Sequence, residues 1–127
     1  MLEKLKEALK LFASENGLEK VFYGMASDRS GTMKWNYIIL KRARNARSGK
    51  SSNDSTEYYT ITLVHEDYIP EGMAEDLVKS VLSRVSGLRL AGDIEYDYGF
   101  KNSTDLVVEA AFITFCRARK GCSVWQD

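Results

Sequence analysis

Along this chain the hydrophobic residues recur every three to four positions, then every two, then every three to four again, and finally every two. That succession confines the fold to two amphipathic helices laid on a sheet, because a helix face repeats at about 3.6 residues and a strand face at about 2. Leu2, Leu5, Leu9 and Phe12 predict a helix over residues 2–16. Gly17 stops it by taking the left-handed conformation that closes helix ends. A short strand over Lys20–Ala26 is expected next, followed by turn chemistry at Asp28, Ser30 and Gly31. Met33 to Arg42 then reads as a strand, with Trp35, Tyr37 and Ile39 on one face and Ile38 and Leu40 on the other.

Residues 43–56 hold almost nothing that could join a core and read as a long mobile loop. From Glu57 to His65 the chain returns as a strand, so the second and third strands should form a hairpin with a projecting tip. Pro70 stands near a helix start. Met73, Leu77, Val81, Leu82 and Val85 form the apolar stripe of a helix ending at Gly87. Asp93 to Phe100 alternates acidic or glycine positions with Ile94, Tyr96, Tyr98 and Phe100, a one-sided strand. Leu106 to Arg117 is apolar on both faces and is expected to be a central, doubly covered strand. The predicted fold is α+β: a mainly antiparallel β-sheet packed by two helices in the order α-β-β-β-α-β-β. It forms a single domain over residues 1–120, with a C-terminal tail over 121–127.

With 127 residues and 44% hydrophobic content, the chain can bury a sizeable core without metal or disulfides. Eighteen basic residues balance eighteen acidic ones, which argues against a surface built wholly for polyanions. The charges among the leucines of Met1–Phe12 leave no apolar core of a signal peptide, and no run approaches the ~20 apolar residues of a membrane span. A protein without membrane association is expected. Cys116 and Cys122 lie far from the single histidine, His65, so a zinc site is not expected. They read as a strand cysteine and a tail thiol.

The motifs that could carry chemistry fall short of it. Arg47-Ser48-Gly49-Lys50-Ser51-Ser52 looks like the end of a phosphate-binding loop, but Arg44 stands where the first glycine belongs and no helix follows. His65-Glu66-Asp67 lacks a nucleophile or a second histidine, and Ile69 occupies the position where a metalloprotease helix needs one. Glu95, Asp97, Glu109 and Asp93 fall on outward strand positions, where carboxylates are ordinarily solvated. No catalytic, metal or cofactor residue is therefore assigned. Lys41, Arg42, Arg44, Arg47 and Lys50 form a basic cluster able to neutralise phosphates, and Arg117, Arg119 and Lys120 form another. The same charges would also deter edge pairing of a solvated hairpin. Two Trp, seven Tyr and five Phe exceed what one small core requires, and Trp35, Tyr58 and Tyr96 stand out as candidate interface residues.

The order of elements carries a resemblance. An N-terminal helix, the strand Trp35-Asn36-Tyr37-Ile38-Ile39-Leu40, a polar hairpin loop, the strand Tyr58-Tyr59-Thr60-Ile61-Thr62-Leu63, a helix opening with Glu75-Asp76 and the closing Phe112-Ile113-Thr114-Phe115 look like the small tail-terminator and tail-completion (minor tail) proteins of long-tailed bacteriophages and prophages. The likeness spans about residues 1 to 118 and rests on architecture and hydrophobic spacing. It implies a structural virion-assembly protein without enzymatic activity, found in the host cytoplasm before assembly and in the virion tail afterwards. Such proteins form a ring, commonly a hexamer, at the head-proximal end of the tail tube. Their partners are the tail-tube protein, the head-tail connector proteins and other copies of themselves. DNA passes through the ring, which would give Lys41, Arg42, Arg44, Arg47 and Lys50 non-specific DNA or partner contacts. The alternative is a nucleic-acid-binding module of ferredoxin-like type using the basic loop 41–50.

Overall fold

The first helix, α1, spans Leu2–Glu15 and buries Leu5, Ala8, Leu9, Phe12 and Ala13 on one face. Those positions repeat at three, four and five, so a single stripe meets the sheet while Glu3, Lys4, Glu7 and Lys10 stay outside. Asn16 ends the helix and Gly17 follows at φ +68°, which lets the Leu18 amide donate back to the Ala13 carbonyl at 2.9 Å. That six-to-one bond satisfies a carbonyl the helix would otherwise leave open. The computed structural model describes residues 1–28, 31–47 and 55–119.

Strand β1, Lys20–Tyr23, lies parallel to β2, Tyr37–Arg47, with Lys20 opposite Tyr37. β2 pairs antiparallel with β3, Ser55–Glu66, and β3 pairs antiparallel with β6, Val107–Arg119, over twelve register positions from Ser55 to Glu66. Between β3 and β6 the chain forms α2, Met73–Arg84, then the edge strands β4, Arg89–Leu90, and β5, Glu95–Phe100. Glu75 and Asp76 in the first turn of α2 and Arg84 in the last complement its dipole. Both edge strands pair with the same side of β6. Four residues, 91–94, bridge a gap that β6 spans with Ile113 and Thr114, and the Ala91 amide donates to the Thr114 carbonyl at 2.8 Å. Since β6 runs opposite to both β3 and β5, the unit β3-α2-β5 is a parallel crossover with β6 inserted between its strands.

The core lies between one face of this sheet and the two helices. Leu5 and Leu9 of α1 and Leu77 and Val81 of α2 meet Ile61 and Phe115 of the sheet, all fully buried. Each such side chain contributes about 1.5 to 3 kcal/mol of transfer free energy. The opposite sheet face carries no helix among the described residues. Near β1 it is covered by Ala26, Met33 and Trp35 from the β1–β2 connection, which pack on Phe22, Tyr37, Val64 and Val108, and toward the hairpin end Thr56 and Cys116 are also buried. Phe22 meets Tyr37 edge to face with ring centres 5.4 Å apart.

The α+β class and the two sheet-packed helices agree with expectation, whereas several finer features differ. The element order is α-β-β-β-α-β-β-β, with β4 as the added strand, and the six-stranded sheet is mixed because β1 is parallel to β2. β1 stops at Tyr23 rather than Ala26, and β2 starts at Tyr37, so Trp35 precedes the strand. Within the expected loop 43–56, residues 43–47 extend β2 and Ser55 and Thr56 open β3, because ladder hydrogen bonds hold a hairpin arm without needing apolar side chains. The tip, 48–54, and the C-terminal tail lie outside the described residues. In α2, Leu82 is 38% exposed and Val78 packs on the core instead. β5 keeps its alternation, but its aromatic face is uncovered. β6 is fully buried at Ala111, Ile113 and Phe115 and exposed at Phe112, so it is doubly covered only in part.

Candidate interaction surfaces

The basic cluster is built on the far half of β2, and a bulge divides it between the two faces of the sheet. Arg42 stands opposite Tyr59 and Arg44 opposite Tyr58, so one strand has used two steps where its partner used one. Adjacent residues of a strand point to opposite faces. Arg42 therefore shares the helix-bearing face with Tyr59, and Arg44 shares the helix-free face with Tyr58. Arg42 Nε donates to the Tyr23 hydroxyl at 3.1 Å, and this hydrogen bond leads the influences that raise its already high pKa. Lys6 of α1 sits over the same Tyr23 ring. Arg44 stacks over Tyr58 with its guanidinium carbon 4.1 Å from the ring centre. Lys41, Arg44 and Arg47 are exposed, and Lys50 lies outside the described residues.

The second basic group meets this hairpin end through β6. Arg117 stands opposite Glu57 and forms an ion pair with it at 3.1 Å, and Tyr59 donates to the same carboxylate oxygen at 3.3 Å. Arg119 stands opposite Ser55; Lys120 and Cys122 lie outside the described residues. Cys116 is buried, and the Arg89 guanidinium donates to its sulfur at 3.1 Å.

A different surface forms at the other end of β6. Tyr96, Tyr98 and Phe100 of β5 stand opposite Ala111, Glu109 and Val107, and are 44%, 63% and 66% exposed. The two helices leave the aromatic side of this edge strand open to solvent. Glu95 and Asp97 project from the opposite face of β5 and are also exposed. A hydrogen bond to Glu109 leads the effects that raise the Tyr98 hydroxyl above its usual range, while desolvation leads those that raise Tyr96. The Glu109 carboxylate is buried and accepts the Ile69 amide at 2.7 Å. Of these residues the sequence singled out only Tyr96 as an interface candidate. The signal for the rest was the uninterrupted alternation of aromatic and acidic positions, combined with only two helices to cover so many strands.

The other two aromatic candidates have internal partners. Trp35 donates from its indole nitrogen to Asp28 at 3.0 Å and lies edge-on to Tyr37, and Tyr58 is half-buried beneath Arg44. His65-Glu66-Asp67 closes β3 with structural bonds. His65 Nδ1 lies 2.9 Å from the Glu66 carbonyl, and the Asp67 amide donates to the Val107 carbonyl at 2.7 Å. Glu66 accepts from Lys101 Nζ and from the Trp35 amide, each at 2.8 Å. These residues line a shallow open hollow with Tyr68, Pro70 and Glu71. Of the phosphate-loop-like segment only Arg47 is described, and it ends β2. No helix among the described residues is long and apolar enough to cross a membrane. The chain matches no protein-family model and no curated protein.

Proposed function

We propose that this chain is a structural subunit of a long-tailed phage or prophage tail, closing the head-proximal end of the tail tube as a ring. The observation that carries the reading is the exposed aromatic edge strand β5, whose Tyr98 and Phe100 are uncovered on a sheet face that the helices seal at its centre, at Ile38, Leu40, Ile61, Leu63, Ile113 and Phe115. A row of exposed aromatic rings on a well-packed domain favours a contact with another molecule. A ring requires two different patches on each subunit. The basic hairpin end and the aromatic edge supply two that differ in charge and shape. The likeness in element order to tail-terminator proteins supplies the tail context, with a neck or minor tail role as the neighbouring assignment.

Nucleic-acid contact is the second reading, favoured by the exposed Lys41, Arg44 and Arg47 on one hairpin arm. Arg44 already covers the Tyr58 ring that a base would stack on, which favours phosphate contact over base recognition. Mixing the protein with purified tail tubes and imaging their ends by electron microscopy tests the leading reading. Density capping one end of the tubes is the expected result. Bare ends with no rings, together with tight sequence-dependent DNA binding, would transfer the assignment to a nucleic-acid-binding module.

A further inference from the structure

We infer that the basic hairpin arm of one subunit, with Arg44 on one face and Arg47 on the other, docks on the β5 edge of a second copy, which carries Glu95 and Asp97 on one face and Tyr98 and Phe100 on the other. The inference rests on the ring reading and names the surfaces that would build it.

Charge first decides the occupant of the β5 edge. Among the described residues β5 pairs only with β6, so its outer backbone groups face away from the sheet beside exposed aromatic rings. A second β5 laid on that edge would bring Glu95 and Asp97 against their own copies, and like charges across a strand pair are destabilising. A basic surface is therefore the fitting partner. The chain as a whole has equal numbers of acidic and basic residues, and the fold places these two groups of opposite charge on different parts of the sheet.

Geometry then places that basic surface on another molecule. Arg44 lies level with Tyr58 and Cys116, whereas Asp97 lies level with Ala110. Six residues along β6 amount to about 20 Å, and the three strand spacings from β2 to β5 add about 14 Å sideways. No side chain spans that distance, so the two surfaces cannot neutralise each other within one subunit. Two unlike patches on separate parts of a subunit produce head-to-tail contacts, which close into a ring when the rotation permits.

Sedimentation of three proteins tests the inference: wild type, Arg44→Glu with Arg47→Glu, and Glu95→Lys with Asp97→Lys, all at exposed positions and each checked for folding by circular dichroism. Each reversal should weaken self-association at least about a hundredfold, as loss of facing charges at an interface does. An equimolar mixture of the two variants should assemble again with the two alternating, because the wild-type hairpin meets the wild-type edge at one junction and the two reversed surfaces meet at the next. Combining all four reversals in one chain should restore assembly. Rings of undiminished stability in both reversal variants would overturn this interface while leaving the ring reading in place. A wild-type protein that stays monomeric at its solubility limit and leaves tube ends bare would overturn both.

Discussion

Arg44 stacks on Tyr58 across the β2–β3 ladder because the bulge after Arg42 turns it to the helix-free face. Without that extra residue Arg44 would share a face with Arg42, and the Tyr58 ring would lie open.

The stacking should be measurable as a coupling energy. A double-mutant cycle with Arg44→Ala and Tyr58→Leu is expected to give about 0.5 to 1 kcal/mol by urea denaturation, the range for an exposed cation over a ring. A coupling indistinguishable from zero would mean that the arm does not hold the stack in solution.

Glu66 ties three segments together by accepting from Lys101 and the Trp35 amide, and Lys101 also donates to the Met33 carbonyl at 2.8 Å. The Lys101 hydrogen bond, followed by the Trp35 amide, holds the Glu66 carboxyl below its ordinary pKa. A depressed folded-state pKa contributes stability that is complete above the unfolded value of about 4.3 and is lost as pH falls through the lower folded value. The stability difference between wild type and Glu66→Gln should accordingly be constant near neutrality and shrink below about pH 4. Thermal unfolding across a pH series would reveal it. A difference independent of pH would refute the assignment.

Two apolar residues of similar hydrophobicity should behave very differently. Leu9 is fully buried on the inner face of α1, and Leu9→Ala is expected to cost about 2 to 5 kcal/mol through the cavity it leaves. Phe100 is 66% exposed, and Phe100→Ala should change monomer stability by less than about 0.5 kcal/mol. Equal losses in denaturant unfolding would contradict the exposure of the β5 aromatic face.

Duplex DNA should bind through phosphate oxygens alone, with a dissociation constant of ~10⁻⁴ to 10⁻⁶ M that weakens steeply with salt. Arg44→Ala with Arg47→Ala should flatten that salt dependence, since removing one phosphate-neutralising cation lowers the slope by about one. Fluorescence anisotropy at several salt concentrations would show whether binding is instead tight and sequence-dependent.

Hydrophobic period alone determined the helices and most of the strands. Leu5, Leu9 and Phe12 can share a face only in a helix, and Tyr59, Ile61 and Leu63 only in a strand. The glycine at position 17 likewise marked its helix end, because its left-handed conformation is a local property of the residue. What period could not convey was coverage. Tyr96, Tyr98 and Phe100 alternate as cleanly as a buried strand does, yet whether a helix lies over them depends on how many strands two helices must cover. The polar arms of the hairpin were hidden for a related reason: their ladder bonds are made by backbone groups, which leave little trace in side-chain type. Tertiary structure alone decided that Arg42 and Arg44 part to opposite faces. One bulged residue reverses the facing of everything after it, and its position is set by pairing with β3 rather than by the residues of β2 themselves.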